Sequence, residues 1–181
     1  MQTEIILSGF GGQGVLFAGQ LLSYAAMDSG LEVTWIPSYG PEMRGGTANC
    51  TVVISTEEIG APVVRNPEIA IVMNLPSLDK YENLVKPNGL LVINSSMVNR
   101  EPKRRDIHVL SIPGNEIAEK IGDKRMLNMV MLGGMLANHS VLSLASIEKA
   151  LHDHLPARHH HYLQSNIEAL KAGSTYQLQV A

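Results

Sequence analysis

The chain has 181 residues, which suffices for one sizeable hydrophobic core and is short for two domains. It carries 14 Lys and Arg against 17 Asp and Glu, and this net charge of −3 gives no electrostatic reason to bind nucleic acid or an anionic membrane. The single cysteine, Cys50, excludes an internal disulfide, a four-cysteine zinc site and a self-contained iron–sulfur cluster. No signal-peptide pattern and no membrane-length apolar run is visible, so a cytoplasmic protein is expected.

The order of predicted elements alternates between strands and helices. Short apolar or β-branched runs predict strands over residues 3–8, 31–37, 47–55, 68–74, 90–96 and 106–113. Helical periodicity with Pro, Gly or Asn at the ends predicts helices over residues 15–30, 76–89, 114–122, 126–140, 146–155 and 156–173. This alternation is typical of an α/β sheet with helices on its faces.

The connection between the second and third strands decides the type of sheet. Residues 38–46 are too few for a crossover helix, which needs a dozen residues or more. The third strand is therefore not joined to the second by a βαβ unit, which favours a mixed sheet. The sequence predicts a single domain over residues 1–181: a Rossmann-like three-layer α/β sandwich, with a mostly parallel sheet that admits an antiparallel strand and a helical C-terminal part.

A glycine loop follows the first predicted strand. Gly9, Gly11 and Gly14 have the spacing G-x-G-x-x-G, in which Gly9 permits a tight turn, Gly11 the close approach of a phosphate, and Gly14 close packing of helix and strand. The helix that follows adds free N–H groups at its positive end. The loop residues are candidate cofactor contacts: Gly9, Gly11, Gly12, Gln13 and Gly14. An equally supported alternative is that the loop contacts no ligand and only allows the helix to pack closely on the strand.

A dinucleotide site needs more than the glycines. An acidic residue should follow about 20 residues later, at the end of the second strand, to bind the ribose hydroxyls. That strand ends in Trp35, Ile36, Pro37 and Ser38, with no carboxylate there. NAD is therefore not favoured as the ligand.

A second glycine-rich segment, "PSYGPEMRGGTAN", spans residues 37–49 at the carboxyl end of a strand, where α/β sheets usually bind ligands. Arg44 can fork onto a carboxylate or a phosphate. Alternatively, the Arg44 side chain forms an ion pair with Glu42 or is solvated without a binding role. The candidate binding residues of this segment are Tyr39, Glu42, Arg44, Gly45 and Gly46.

Together, "GFGGQG" at residues 9–14 and "SYGPEMRGGTANC" at residues 38–50 resemble the gamma-type subunit of 2-oxoacid:ferredoxin oxidoreductases. The resemblance extends over most of the chain and implies an oxidoreductase complex in the cytoplasm. In that complex a 2-oxoacid is decarboxylated on thiamine diphosphate, electrons pass through iron–sulfur clusters to ferredoxin, and the acyl group goes to coenzyme A. Of the possible substrates, 2-oxoglutarate is the expected one.

The residues present limit this chain's share of the reaction. A thiamine subunit needs a GDG…NN segment for magnesium and diphosphate, whereas "IGDK" at residues 121–124 lacks the second glycine and no Asn-Asn pair follows. One cysteine cannot ligate a cluster. Thiamine diphosphate, Mg and the iron–sulfur clusters are therefore expected on thiamine-binding and ferredoxin-like partner chains. This chain alone is expected to hold no cofactor and to contribute no catalytic residue. The isolated chain is therefore expected to be inactive. The alternatives are a stand-alone NAD(P)-binding domain and a scaffold whose loops touch no ligand.

Two other clusters have plain explanations. The histidines at 152, 154 and 159–161 fit a solvated or interface helix better than a metal site, because successive helical residues point about 100° apart. The basic stretch of residues 99–106 fits a solvated loop better than a docking patch for ferredoxin. Cys50, in an apolar strand, is expected to be a small buried residue.

Overall fold

The computed structural model describes residues 1–39 and 47–178, in which six strands and six α-helices are formed. The strands are Gln2–Phe10 (β1), Glu32–Tyr39 (β2), Thr47–Ser55 (β3), Ile69–Val72 (β4), Leu90–Asn94 (β5) and His108–Ile112 (β6). The helices are Val15–Asp28 (α1), Leu75–Tyr81 (α2), Gly114–Ile121 (α3), Leu127–Asn138 (α4), Leu144–His154 (α5) and Leu163–Ser174 (α6). Short 3₁₀ segments are Glu82–Leu84, Lys124–Met126 and Ala157–Tyr162. None of the helices in these ranges is long and apolar enough to cross a membrane.

The strands form one mixed sheet in the order β2–β3–β1–β4–β5–β6. The strands β1, β4, β5 and β6 are parallel neighbours, whereas β3 runs antiparallel to both β1 and β2. The predicted α/β class and the mixed sheet are confirmed. The antiparallel strand is the third one, as the short connection of residues 38–46 requires.

Two predicted helices are shorter in the structure. The helix expected over residues 76–89 ends at Tyr81 and continues only as one 3₁₀ turn to Leu84. Pro87 disfavours helical backbone at Lys86, so the helix could not extend to residue 89. The helix expected over residues 156–173 starts at Leu163, and Ala157–Tyr162 is a 3₁₀ segment. That segment contains three histidines and a tyrosine, whose helix propensities are low.

The core has two parts, one on each face of the sheet. The larger part joins the sheet to α1, α4, α5 and α6, and the smaller part joins it to α2. Because side chains alternate along a strand, Ile5 and Leu7 of β1 enter the large core while Ile6 enters the small one. The three-layer arrangement therefore buries the central strands on both faces.

The helices α4 and α6 approach each other closely through glycines. A Cβ at Gly133 would lie inside contact distance of the Leu170 carbonyl oxygen, and a Cβ at Gly173 would do the same at the Val130 carbonyl oxygen. The colliding atoms are backbone, which cannot rotate away. The close spacing of the two helices thus requires glycine at both positions.

We expect Gly133→Ala to destabilise the fold. Overpacking costs about 1–3 kcal/mol, which exceeds the gain of roughly 0.5–1 kcal/mol from replacing a helical glycine. Gly60→Ala is the matched control, because a Cβ there meets nothing within 4 Å. Thermal unfolding of both variants measures the difference, and equal melting temperatures would show that the two helices can separate without cost.

A buried carboxylate holds the basic stretch between β5 and β6. The Glu82 side chain is 3% exposed, pairs with Arg100 at 2.9 Å, and accepts hydrogen bonds from the backbone N–H groups of Lys103 and Arg104. Burial by itself raises the pKa of the Glu82 carboxyl, but these hydrogen bonds bring the pKa below its ordinary value. The loop is thus anchored from beneath by an ionised side chain.

Glu82→Gln should destabilise the chain by about 1.5–3 kcal/mol at neutral pH, because the amide loses the charge-assisted hydrogen bonds. The pKa of Glu82 is lowered on folding, so its contribution is present above the ordinary pKa of 4.5 and is lost as the pH falls through the lowered value. Urea unfolding at several pH values should show the two proteins converging in acid. Asp79→Asn is the control, because Asp79 pairs with the same Arg100 while 59% exposed and should matter less. A difference that persists unchanged in acid would contradict the role of the ionised carboxylate.

Candidate functional site

The sheet opens at the carboxyl ends of β1 and β4. These strands are parallel neighbours, but α1, which follows β1, packs in the large core, whereas α2, which follows β4, packs in the small core on the opposite face. Helices that leave adjacent parallel strands to opposite faces create a crevice at the strand ends, where open α/β sheets bind their ligands. We call this space the crevice, and the residues Phe10–Gly14 beside it the glycine loop.

Gln13 ties the glycine loop to the strand across the crevice. Its Oε1 accepts a hydrogen bond from the Phe10 N–H at 2.6 Å, and its Nε2 donates to the carbonyl of Met73 at 3.4 Å. The backbone N–H of Gln13 also donates to the Phe10 carbonyl, at 3.1 Å. The polar atoms of Gln13 therefore hold the loop in shape.

Two of the four glycines between residues 9 and 14 are required by packing. Gly9 lies within β1 rather than in a turn, and a Cβ there would be 2.5 Å from Gln13 Oε1 and 3.0 Å from Met73 Cβ. Gly14 caps α1 with a φ of 73°, and a Cβ there would be 2.5 Å from the side-chain nitrogen of Asn128. The predicted close contact at Gly14 is thus made with the start of α4, not with a strand.

The other two glycines form an exposed tip. Gly11 and Gly12 are both exposed, and Gly12 has a φ of 97° with nothing within 4 Å of the position that a Cβ would take. The first turn of α1 contains no acidic residue, and its cap makes no side-chain hydrogen bond. The positive end of the helix dipole and the backbone of the tip are therefore open to an anionic group.

Two buried amides lie at the carboxyl ends of β4 and β5, and sequence analysis missed them. Asn74 is 1% exposed and its Oδ1 accepts from the Ser77 N–H at 2.9 Å, while its Nδ2 has no partner among the described residues. Asn94 donates to the Met73 carbonyl at 3.1 Å and accepts from the Gly114 N–H at 3.2 Å. Asn74 comes shortly after the apolar strand β4, and Asn94 is the last residue of the apolar strand β5; this placement is the signal that could have identified them.

A cleft of about 280 Å³ adjoins the glycine loop on the α1 side, and we call it the loop cleft. Gly12, Gly14, Arg125 and Tyr162 are among its lining residues. The Arg125 guanidinium lies 4.2 Å from the centre of the Tyr162 ring and donates to its hydroxyl at 2.9 Å. Asp123, which pairs with Arg125 at 2.7 Å, raises the pKa of that guanidinium, and Tyr162 adds to the effect. Sequence analysis did not single out these residues, because the chain brings them together only in three dimensions.

The second glycine-rich segment begins and ends beside this loop. Tyr39 ends β2 and pairs with Ala48, and Thr47, which starts β3, pairs with Phe10. Glu42, Arg44, Gly45 and Gly46 lie outside the described residues. The strand ends that flank them are therefore at the same sheet edge as the glycine loop.

The position of β3 does not favour a dinucleotide. The neighbour of β1 on this side is an antiparallel strand, which begins at this edge with Thr47, Ala48 and Asn49. A ribose-binding acid would belong at the carboxyl end of a parallel neighbour. None of these three residues is acidic.

Cys50 has no accessible chemistry, as expected for a buried apolar position. It is fully buried beneath α1, with Sγ 3.6 Å from the Val15 carbonyl oxygen. Burial raises the pKa of the thiol to about 12, although the neighbouring Trp35 side chain lowers the pKa in part. The thiolate needed for nucleophilic attack is therefore not formed at neutral pH.

A family model described as pyruvate ferredoxin/flavodoxin oxidoreductase matches residues 4–176 of the chain. The 2-oxoglutarate synthase subunit KorC of Methanothermobacter marburgensis is 37% identical over 180 residues, covering 96% of this chain and 95% of KorC. The ketoisovalerate oxidoreductase subunit VorA of the same organism is 39% identical over 136 residues, covering 75% of this chain but 28% of VorA. This chain therefore spans little more than a quarter of the VorA length.

A solved structure has the same fold along nearly the whole chain. The gamma subunit of the keto/oxoacid ferredoxin oxidoreductase from Geobacter sulfurreducens PCA superposes with a TM-score of 0.84 and 27% identity. The match covers 97% of this chain and 95% of that subunit. The α/β fold described above is thus shared with a protein of comparable length.

Proposed function

Because the chain belongs to the pyruvate ferredoxin/flavodoxin oxidoreductase family, we propose that it is the gamma-type subunit of a 2-oxoacid:ferredoxin oxidoreductase. The resemblance predicted from the two glycine motifs is confirmed at the level of the family. In this proposal residues 1–181 act as one domain in a cytoplasmic hetero-oligomer. The full-length similarity to KorC supports 2-oxoglutarate as the substrate of the assembled enzyme.

The observation that carries the proposal is the exposed tip of the glycine loop at the crevice. Gly11 and Gly12 present backbone next to the N-terminus of α1, and Gln13 fixes that backbone before any ligand arrives. A rigid, uncapped helix start stabilises phosphate or carboxylate groups through N–H groups and the helix dipole. The loop would therefore supply a preformed surface for the anionic part of coenzyme A.

The candidate residues divide into two groups in this proposal. Gly9, Gln13 and Gly14 shape the loop, while Gly11 and Gly12 let the ligand approach. Tyr39, Glu42, Arg44, Gly45 and Gly46 would also contact the ligand, since an arginine guanidinium such as that of Arg44 can fork onto a phosphate or carboxylate. The flanking strand ends beside Phe10 support this arrangement.

The redox chemistry belongs to partner chains in this proposal. Thiamine diphosphate with Mg would supply decarboxylation, and iron–sulfur clusters would carry electrons to ferredoxin. This chain binds and orients coenzyme A and excludes water from its end of the joint site. Its low charged fraction of 17% is compatible with surface that partner chains cover.

Co-expression with the thiamine-binding and ferredoxin-like chains tests the proposal. The chain should co-purify with them, and the complex should reduce a viologen dye only when 2-oxoglutarate and coenzyme A are both present. The chain alone should show no dye reduction, because it lacks a thiamine motif and cluster cysteines. Failure to associate, together with micromolar binding of NAD by calorimetry, would favour the stand-alone dinucleotide-binding domain instead.

Gly12→Ala separates a ligand-binding loop from a purely structural one. The positive φ makes any side chain cost about 1–2 kcal/mol of stability, but nothing within 4 Å obstructs it. If the tip contacts coenzyme A, the Michaelis constant for coenzyme A in the complex should rise about tenfold or more, because an added methyl group blocks the backbone approach. Steady-state kinetics on the assembled enzyme measures this.

Gly30→Ala is the matched control for this change. Gly30 also has a positive φ, of 75°, and open space around its Cβ position, but it follows the opposite end of α1. Both variants should lose similar stability, and only Gly12→Ala should change the kinetics. Identical kinetics for the two variants would instead support a scaffold whose loop touches no ligand.

A further inference from the structure

The connection between β5 and β6 crosses the small-core face of the sheet, where Val98 and Ile107 pack. Its basic stretch, residues 99–106, contains four Lys and Arg against two Asp and Glu, in a chain whose net charge is −3. We call residues 99–106 the basic loop. Because α1 packs in the large core, this surface lies on the opposite side of the sheet from α1 and from the loop cleft.

Inward contacts hold the basic loop in one shape. The Arg104 side chain is 17% exposed and donates to the backbone carbonyls of Glu82 and Val85, at 3.4 and 2.6 Å. Arg100 pairs with the Glu82 carboxylate at 2.9 Å and with Asp79 at 2.6 Å. A loop that only joined two strands would not need these contacts, because water can satisfy the polar groups of an exposed loop.

Two cations of the basic loop point outward. Lys103 and Arg105 are exposed on either side of the inward-turned Arg104. The backbone N–H groups of Lys103 and Arg104 both donate to the buried Glu82 carboxylate, which fixes the backbone from which these side chains project. Arg104 itself pairs with Asp106, whereas Lys103 and Arg105 form no ion pair within residues 1–39 and 47–178. These two side chains are therefore available to a carboxylate of another molecule.

The surroundings of the two cations favour a protein partner over a nucleic acid. The exposed carboxylates of Asp79, Glu101 and Asp106 lie among the cations and would repel a chain of phosphates. A protein surface can instead place carboxylates opposite the cations and other groups opposite the carboxylates. A cleft of about 200 Å³ beside the loop, lined in part by Val98 and Pro102, can receive one side chain of such a partner.

We propose that the basic loop is a docking surface for a carboxylate-rich surface of another protein, with Lys103 and Arg105 as its main contacts. The loop presents charges rather than a large apolar area, and contacts of this kind gain association rate and specificity from complementary charge. The anchor at Glu82 keeps the two cations in place before the partner arrives, which lowers the entropic cost of binding. This surface is additional to the glycine loop and does not depend on what that loop binds.

Fluorescence anisotropy of a labelled oligoglutamate peptide, titrated with the full chain at low ionic strength, tests the proposal. The double variant Lys103→Gln/Arg105→Gln should bind the peptide about threefold to tenfold more weakly, because each exposed ion pair contributes a factor of a few. Added salt should abolish most of the binding, because it screens exposed charges.

Lys120→Gln/Lys124→Gln is the matched control. These two lysines are also exposed, but they lie at the end of α3 and just after it, and α3 packs in the large core on the other face of the sheet. The control removes the same number of charges and should leave peptide binding nearly unchanged. Thermal unfolding of both double variants shows whether each is folded.

The other outcomes would overturn the proposal. They are the absence of peptide binding at chain concentrations of about 1 mM, and equal weakening in the two double variants, which would show an effect of net charge alone. An oligothymidylate that binds as tightly as the peptide, and more weakly to Lys103→Gln/Arg105→Gln, would favour a nucleic acid instead. None of these results bears on the proposed subunit role, because co-purification and dye reduction test that role separately.

Discussion

The divergence of two helices from adjacent strands determines the rest of the site. The strands β1 and β4 are hydrogen-bonded neighbours, yet α1 and α2 pack in opposite cores. The sheet edge between them cannot be covered by either helix, so a crevice remains. The Gln13 side chain links the glycine loop to the carbonyl of Met73, which directly follows β4. The position of the loop is therefore fixed by a contact with the neighbouring strand of the sheet.

The four glycines at positions 9, 11, 12 and 14 have different physical roles. Gly9 and Gly14 leave room for Gln13 and Asn128, so their requirement comes from packing inside the chain. Gly11 and Gly12 meet solvent, so packing inside the described part of the chain does not account for them. Packing inside the chain therefore explains two of the glycines, whereas the other two are free to approach a ligand. A loop shaped by its own interior contacts presents its outer backbone in a fixed geometry, which lowers the entropic cost of binding.

Two clefts that share Phe17, Leu155 and His159 extend the same surface along α1, away from the sheet. Their walls come from α1 and from residues 154–159, far along the chain. Of the histidine run at residues 159–161, His159 lines both clefts. Among the described residues no three metal-binding side chains converge.

Local patterns were enough to define much of the fold. Apolar runs marked all six strands, and the connection of residues 38–46 was too short for a crossover, which required an antiparallel strand. The two glycine motifs were sufficient for the family. Helix ends were less well predicted, because no glycine or proline stands directly after Tyr81 to mark that end, and because the segment before Leu163 contains residues of low helix propensity.

The amino-acid sequence by itself determined the α/β class, the mixed sheet, the buried state of Cys50 and the lack of a thiamine motif and cluster cysteines, since these follow from periodicity, chain length and residue chemistry. Only the tertiary structure decided which glycines face solvent, that Asn74 and Asn94 are buried at the strand ends, and that Arg125 and Tyr162 line one cleft with Gly12 and Gly14. The physical reason is that these relations join residues up to about 150 positions apart, and such proximity is set by the packing of helices on the sheet. The periodicity of the sequence around each residue gives no information about this proximity.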